Sequence, residues 1–160
     1  MKFLERMKAL ETKNLIKVQN ARSACPVSTS LEIIGDSWSL LIIRDLFLNR
    51  VTFSDFKNSP ENIATNILTN RLKKLLKNRI IEYRFLPKNR KIKQYYLTES
   101  GINLYPFIYD LLIWGKDNLE MNFGKVSIEF YKKNKNKMRE EVIENSISNY
   151  KSFKEKLLSS

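Results

Sequence analysis

The sequence predicts a mainly α-helical fold with one small β-hairpin, and three observations support this prediction. Apolar residues recur at three- and four-residue spacing in several separate segments, which is typical of helices that bury one face. One stretch departs from that period, because IIEYRFL and KIKQYYL are rich in branched and aromatic residues and flank PKNRK, which indicates a hairpin. The 160 residues, of which 42% are apolar, suffice for a core of ordinary size.

Four helices are expected before the hairpin. Pro26 suits the first turn of a helix that Gly35 ends. The string SWSLLIIRDLFL from Ser37 is apolar nearly all round, which predicts a helix at the centre of the domain. A short helix is expected over 53–57, and a longer one, with apolar residues on one face and polar residues on the other, over 63–78.

Further helices are expected at both ends of the chain. Residues 3–20 have the spacing of a modest amphipathic helix. A fifth helix is expected over 99–120 with a bend at Pro106, and 140–158 is again helical in period. This last helix has three open alternatives: an extension of a dimer interface, a cap folded back on the domain, or a partly frayed tail.

The order of these elements predicts a winged helix-turn-helix with extra N- and C-terminal helices. The domain is expected to span 25–120, including the fifth helix. Helical extensions are then expected over 1–24 and 121–160.

Positive charge is concentrated in one part of the chain. The formal net charge is +12, and residues 71–93 hold ten basic residues against Glu82 alone. Such a local excess predicts a polyanionic partner, most often nucleic acid.

Composition argues against several other classes. The chain has no histidine, four glycines and a single cysteine, Cys25. We therefore expect no enzyme, no cofactor, no metal site and no disulfide within the chain. No apolar run approaches the roughly 20 residues of a membrane span, so a cytoplasmic protein without a membrane partner is expected.

The outer face of the fourth helix and the hairpin supply the candidate contacts to double-stranded DNA. An α-helix fits the major groove, where short polar side chains meet base edges, and basic side chains bind phosphates. The alternative is an ordinary solvated helix face. The candidate base-reading residues are Thr65, Asn66, Thr69 and Asn70; the candidate backbone contacts are Arg71, Lys73, Lys74, Lys77 and Arg84; the candidate wing contacts are Lys88, Arg90, Lys91 and Lys93.

Residues 25–118 resemble the HxlR family of bacterial and archaeal winged-helix regulators. Four blocks carry the resemblance: CPVSTSLEIIGDSWSLLIIRDLF, FSDF, IATNILTNRLKKLLKNRIIEYRF and YYLTESGINLYPFIYDLLIWG. The resemblance implies a homodimer that binds operator DNA with the fourth helix as recognition helix. The chain departs from the family at Ala64, where a Ser or Thr usually caps that helix, so Asn62 is the alternative cap.

The resemblance also bears on Cys25 and on dimerisation. In several family members a cysteine at this position senses electrophiles or oxidants, and a helix N-terminus can lower a thiol pKa; the alternative is an unreactive buried thiol. The fifth helix has more apolar surface than one small domain can hide, so it is the candidate dimer interface. The interface residues expected there are Leu104, Ile108, Leu111, Leu112 and Trp114.

Together these features predict a sequence-specific DNA-binding transcriptional regulator that acts as a homodimer on a palindromic or pseudopalindromic operator and responds to electrophiles or oxidants through Cys25. Its small-molecule effector stays unknown. The alternative is a non-enzymatic module that binds RNA or an anionic surface with the same basic residues.

Overall fold

A computed structural model describes residues 15–160 of the chain. It confirms a mainly α-helical fold with one antiparallel two-stranded hairpin. No helix in the described part is long and apolar enough to span a membrane. The elements are α1 (Pro26–Ile34), α2 (Ser37–Phe47), α3 (Phe53–Lys57), α4 (Thr65–Lys77), β1 (Ile81–Leu86), β2 (Asn89–Leu97), α5 (Glu99–Ile102), α6 (Tyr105–Asn118), α7 (Lys125–Asn134) and α8 (Arg139–Ser159).

The central position of α2 is confirmed. Its side chains Ile42, Ile43 and Leu46 are almost completely buried, and they meet Leu68 and Leu75 of α4 in one hydrophobic cluster. A helix that is apolar on nearly all sides is stable only when other elements surround it.

Helix α3, the following turn and α4 form the helix-turn-helix. The hydroxyl of Thr52 accepts a hydrogen bond from the Asp55 N–H at 3.1 Å, and the Asp55 carboxylate accepts one from the Thr52 N–H at 2.8 Å. This reciprocal pair is a capping box, which satisfies donors that the first turn of a helix leaves free. Helix α4 begins two residues later than predicted, because Ile63 is buried in the turn before it.

The second strand of the hairpin is longer than the segment KIKQYYL from which it was predicted. Strand β1 pairs with β2 from Ile81 opposite Leu97 to Leu86 opposite Asn89, with one irregularity beside Leu86. The turn is therefore confined to residues 87–88, and most of the predicted loop PKNRK belongs to β2.

A closely packed turn connects β2 to the next helices. The Thr98 hydroxyl caps α5 by accepting from the Gly101 N–H at 3.2 Å, and it donates to the Arg79 carbonyl at 2.6 Å. A Cβ atom at Gly101 would lie 2.2 Å from the Ile80 carbonyl oxygen, so only glycine fits there.

The fifth predicted helix is interrupted instead of bent. Helix α5 ends at Ile102, and α6 starts at Tyr105 with Pro106 in its first turn. The physical reason is that proline is compatible with a helix start but removes a hydrogen bond from a helix interior.

The C-terminal helix α8 folds back onto the domain, as expected of a cap and not of a frayed tail; a part for it in a dimer interface stays a prediction. Its residues Val142, Ile143 and Tyr150 are buried. The Tyr150 ring packs edge-on against Phe47 of α2, 5.0 Å between centroids, and its hydroxyl accepts from the Leu97 N–H at 2.8 Å. The preceding helix α7 was not predicted, because it buries no residue completely and its apolar period is short.

The N-terminal prediction concerns mostly residues outside the described part of the chain. The expected helix over 3–20 includes Phe3, Leu4, Met7 and Leu10, which are not described. Residues 15–24, which are described, form no helix, so the prediction is wrong for 15–20.

Candidate nucleic-acid interface

The exposed face of α4 carries the predicted base-reading side chains. Thr65, Asn66 and Asn70 are exposed, and Thr69 is half-buried. The Thr69 hydroxyl donates to the Thr65 carbonyl at 2.8 Å, so that donor is already engaged within the helix. The two asparagine side chains therefore offer the freest donor and acceptor pairs on this face.

The N-terminus of α4 has no side-chain cap. Ala64 occupies the capping position. Asn62, the alternative cap, adopts a left-handed backbone with φ of 53° and donates to the Pro60 carbonyl at 3.3 Å. The alternative in which Asn62 caps this helix is wrong, because its side chain donates within the preceding turn.

Two of the predicted backbone contacts are paired with an acidic residue. Arg71 Nε donates to Asp36 Oδ1 at 2.7 Å, and Lys74 Nζ donates to Asp36 Oδ2 at 3.3 Å. Burial by itself raises the pKa of the Asp36 carboxyl, but the hydrogen bonds from Ser39, Arg71 and Lys74 outweigh it and lower the pKa to about 2. This carboxylate is charged at any physiological pH.

The other two predicted cations of this helix point into solvent. Lys73 and Lys77 are exposed, and neither makes an ion pair within the described residues. Their ammonium groups are therefore free to approach a phosphate.

The hairpin places basic side chains at its tip. Lys88, Arg90 and Lys91 are exposed there. Lys93 lies further down, with its Nζ 4.1 Å from the centroid of the Tyr83 ring. A cation over an aromatic face is attracted by the ring quadrupole, so this ammonium group is already engaged by the hairpin.

Arg84 is held between the hairpin and the C-terminus. Its Nε donates to Gln94 Oε1 at 3.0 Å, and its Nη2 donates to Ser160 Oγ at 2.8 Å. This predicted backbone contact is thus engaged in protein hydrogen bonds on the side of the hairpin that faces the end of α8.

A buried carboxylate that the sequence analysis missed fixes the turn before α4. Asp45 is 2% exposed and accepts from Arg44 Nη2 at 2.8 Å, from Arg50 Nη1 at 3.0 Å and from the Ser59 hydroxyl. Arg44 also donates to both carboxylate oxygens of Glu61, at 2.7 and 3.0 Å, which holds the pKa of Glu61 below its usual value. The available signal was an Arg-Asp pair inside an otherwise apolar helix.

The predicted dimer-interface residues divide into two groups. Leu104 and Ile108 pack against the core of their own chain, and Leu112 is half-buried. Leu111 and Trp114 are exposed, at 47% and 56%. The exposed stripe of α6 also includes Phe107, which the sequence analysis missed.

Cys25 occupies the N-cap position of α1, and its thiol is exposed. Its backbone N–H donates to the Ser23 hydroxyl at 3.2 Å. The alternative of a buried thiol is therefore wrong, since reagents in solution reach this position.

The chain is similar to known transcriptional regulators in sequence and in structure. It is 30% identical over 92 residues to the helix-turn-helix transcriptional regulator YdeP of Bacillus subtilis strain 168, which covers 58% of this chain and 72% of YdeP. The crystal structure of PA1607 superposes with a TM-score of 0.59 at 32% identity, covering 65% of this chain and 72% of that one. The redox regulator HypR in its oxidised form superposes with a TM-score of 0.55 at 26% identity, covering 61% of this chain and all of HypR.

A family model for HxlR-like helix-turn-helix proteins matches residues 33–123, more than half of the chain. That segment contains the helix-turn-helix, the hairpin and α6, which are the elements that carry the exposed polar face and the basic wing. The chain therefore belongs to the HxlR-like helix-turn-helix family and is a transcriptional regulator of the helix-turn-helix type.

Proposed function

We propose that the protein binds double-stranded DNA sequence-specifically and acts as a homodimer on a palindromic operator. The observation that supports this most is the exposed face of α4, where Asn66 and Asn70 share one stripe with Lys73 and Lys77, two cations that make no ion pair with any described residue. Asparagine can make a paired hydrogen bond to adenine in the major groove, and lysines beside it neutralise phosphates. The exposed tip of the hairpin adds cations at a second point along the duplex.

Selection from a random duplex library, followed by fluorescence anisotropy on the selected operator, tests this function. Asn66→Ala should reduce the preference for the operator over a scrambled duplex, whereas Lys73→Gln should weaken binding to both. Affinity should fall steeply with salt concentration, since each neutralised phosphate contributes about −0.9 to the slope of log K against log salt. Recovery of no preferred sequence, with both variants binding like the wild type, would refute the assignment.

Dimerisation is supported by the apolar side chains left in solvent on α6. Phe107, Leu111 and Trp114 follow one another at four- and three-residue spacing and are each about half exposed. A tryptophan such as Trp114 at the centre of an interface often contributes much of the association energy, and the apolar side chains beside it exclude water. A symmetric pair would place two recognition helices on two half-sites.

Light scattering after size-exclusion chromatography tests the interface. Leu111→Glu should convert the dimer into a monomer, because a carboxylate would be buried against apolar groups. Val27→Glu, on α1 at a position that is 67% exposed, is the matched control and should leave the dimer intact. Dimers with unchanged dissociation in the Leu111 variant would place the interface elsewhere.

RNA binding is the second candidate, and one observation favours it. Tyr83 and Phe85 on the hairpin are 37% and 47% exposed and lie beside Lys93. Exposed aromatic rings next to cations are the usual platform for unpaired bases. Competition among the duplex operator, single-stranded RNA and anionic vesicles distinguishes this candidate from the main proposal; preferential displacement of the operator by RNA would favour it.

A response to oxidants or electrophiles through Cys25 completes the proposed function. Its support is the exposure of the thiol at the start of α1 and the similarity to the redox regulator HypR. Operator binding is measured for the wild type and Cys25→Ser before and after diamide treatment. We expect a change in the wild type alone; equal insensitivity of both proteins would remove this part of the proposal.

A further inference from the structure

The cations of α4 fall into two classes that the amino-acid sequence does not distinguish. Lys73 and Lys77 extend into solvent, whereas Arg71 and Lys74 are bound to Asp36, which lies 35 positions before Arg71 in the chain. A phosphate contact requires a cation that is free to reach the duplex. The pairing therefore suggests that Arg71 has a different role.

The Asp36 carboxylate is fully occupied by protein donors. Its Oδ1 accepts from the Ser39 N–H at 2.9 Å and from Arg71 Nε at 2.7 Å. Its Oδ2 accepts from the Ser39 hydroxyl at 2.6 Å and from Lys74 Nζ at 3.3 Å. One carboxylate thus caps α2 and at the same time binds the second and third turns of α4.

Helix geometry separates Arg71 from the candidate DNA-reading stripe. At about 100° per residue, Asn66, Asn70, Lys73 and Lys77 fall within about 60° of one another. Arg71 falls about 130° from the centre of that stripe, and its side chain is directed toward α2, where Asp36 lies. A side chain in that direction meets the protein and not the groove into which the stripe would insert.

We propose that Asp36 and Arg71 form a positioning pair that fixes the rotation of α4 relative to α2, so that Arg71 determines operator specificity without contacting a phosphate. This inference rests on the proposed DNA binding. In it, charge neutralisation by α4 falls to Lys73 and Lys77. The pair instead holds Asn66 and Asn70 at the angle at which they meet base edges, because rotation of the helix about its axis moves every side chain of the stripe together.

Salt titrations on two duplexes separate a positioning role from a phosphate contact. The wild type, Arg71→Gln and the matched control Lys73→Gln are titrated with the selected operator and with a scrambled duplex of equal length. Lys73→Gln should reduce the slope of log K against log salt by about 0.9 and keep the operator preference. Arg71→Gln should leave the slope unchanged and reduce the ratio of operator to scrambled affinity by at least about fivefold, the effect of one lost base contact.

The double variant Asp36→Asn/Arg71→Gln tests whether Arg71→Gln loses operator preference only because it misfolds. It keeps the net charge of the wild type and removes both members of the pair, with Lys74 left as the one cation that has lost its carboxylate. Its operator preference should match that of Arg71→Gln alone, since the contact between Arg71 and Asp36 is already absent in that single variant. A loss of slope in Arg71→Gln equal to that in Lys73→Gln, with the operator preference retained, would overturn the proposal.

A wild type that shows no preference among duplexes would count against the proposed function and not against the pair. The pair is then judged by thermal unfolding of the wild type, both single variants and the double variant. Strictly additive shifts in melting temperature would show that Asp36 and Arg71 do not act together.

Discussion

The hydroxyl of Tyr150 attaches the C-terminal helix α8 to the end of strand β2, and its removal gives a quantitative test of this contact. Tyr150 is 2% exposed, and its oxygen accepts from the Leu97 N–H at 2.8 Å. Tyr150→Phe keeps the ring against Phe47 and Phe153 but removes that acceptor from a fully buried donor. A buried backbone N–H that loses its partner costs about 1–3 kcal/mol of the free energy of unfolding.

Thermal unfolding followed by circular dichroism measures this cost. In a chain of this size each 1 kcal/mol lowers the melting temperature by about 2–4 °C, so we expect a decrease of about 2–12 °C. Tyr109→Phe is the matched control, because the Tyr109 ring packs on Phe130 of α7 while its hydroxyl makes no hydrogen bond within the described residues. Equal melting temperatures for Tyr150→Phe, Tyr109→Phe and the wild type would refute the docking of α8 by this contact.

Three further predictions concern the stability of the fold. Burial raises the pKa of Tyr150 to about 12, whereas an unfolded tyrosine ionises near pH 10; the wild type should therefore lose stability as pH rises from about 10 to 12, and a denaturation series in which Tyr150→Phe shows the same loss would contradict this. Gly101→Ala should cost about 1–3 kcal/mol by overpacking against the Ile80 carbonyl, whereas Gly124→Ala, with open space around its Cβ, should be nearly neutral in urea unfolding. Asp45→Asn should destabilise by about 1–3 kcal/mol, because it removes the buried carboxylate that Arg44, Arg50 and Ser59 share while Arg44 keeps its bonds to Glu61, and a midpoint of urea unfolding equal to that of the wild type would show that this network is dispensable.

Local features of the chain were predictable from its sequence. The apolar period identified α1 to α4, and the change to branched and aromatic residues identified the hairpin, because both signals depend on neighbours within one or two turns. Pro106 marked the discontinuity in the fifth predicted helix. The sequence predicted a bend there, whereas the structure has two separate helices. The concentration of cations over 71–93 is also a property of the chain itself.

The roles of individual side chains depended on contacts between distant segments. Arg71 and Lys73 are both basic and lie two positions apart, so the sequence assigned both to the DNA backbone. Of these two residues, only Arg71 contacts Asp36. Likewise, Ile108 and Leu111 are both strongly apolar, yet α6 packs Ile108 against the core, where it is partly buried, and leaves Leu111 47% exposed.

The sequence by itself determined the order of helices and hairpin, the family resemblance and the location of the positive charge. Only the tertiary structure decided which cations are free, which apolar side chains are exposed, and that α8 folds back so that Tyr150 meets Leu97 across 53 positions. The physical reason is that periodicity and charge are encoded within short segments. Exposure and ion pairing depend on the distances that the folded chain sets between segments far apart in sequence.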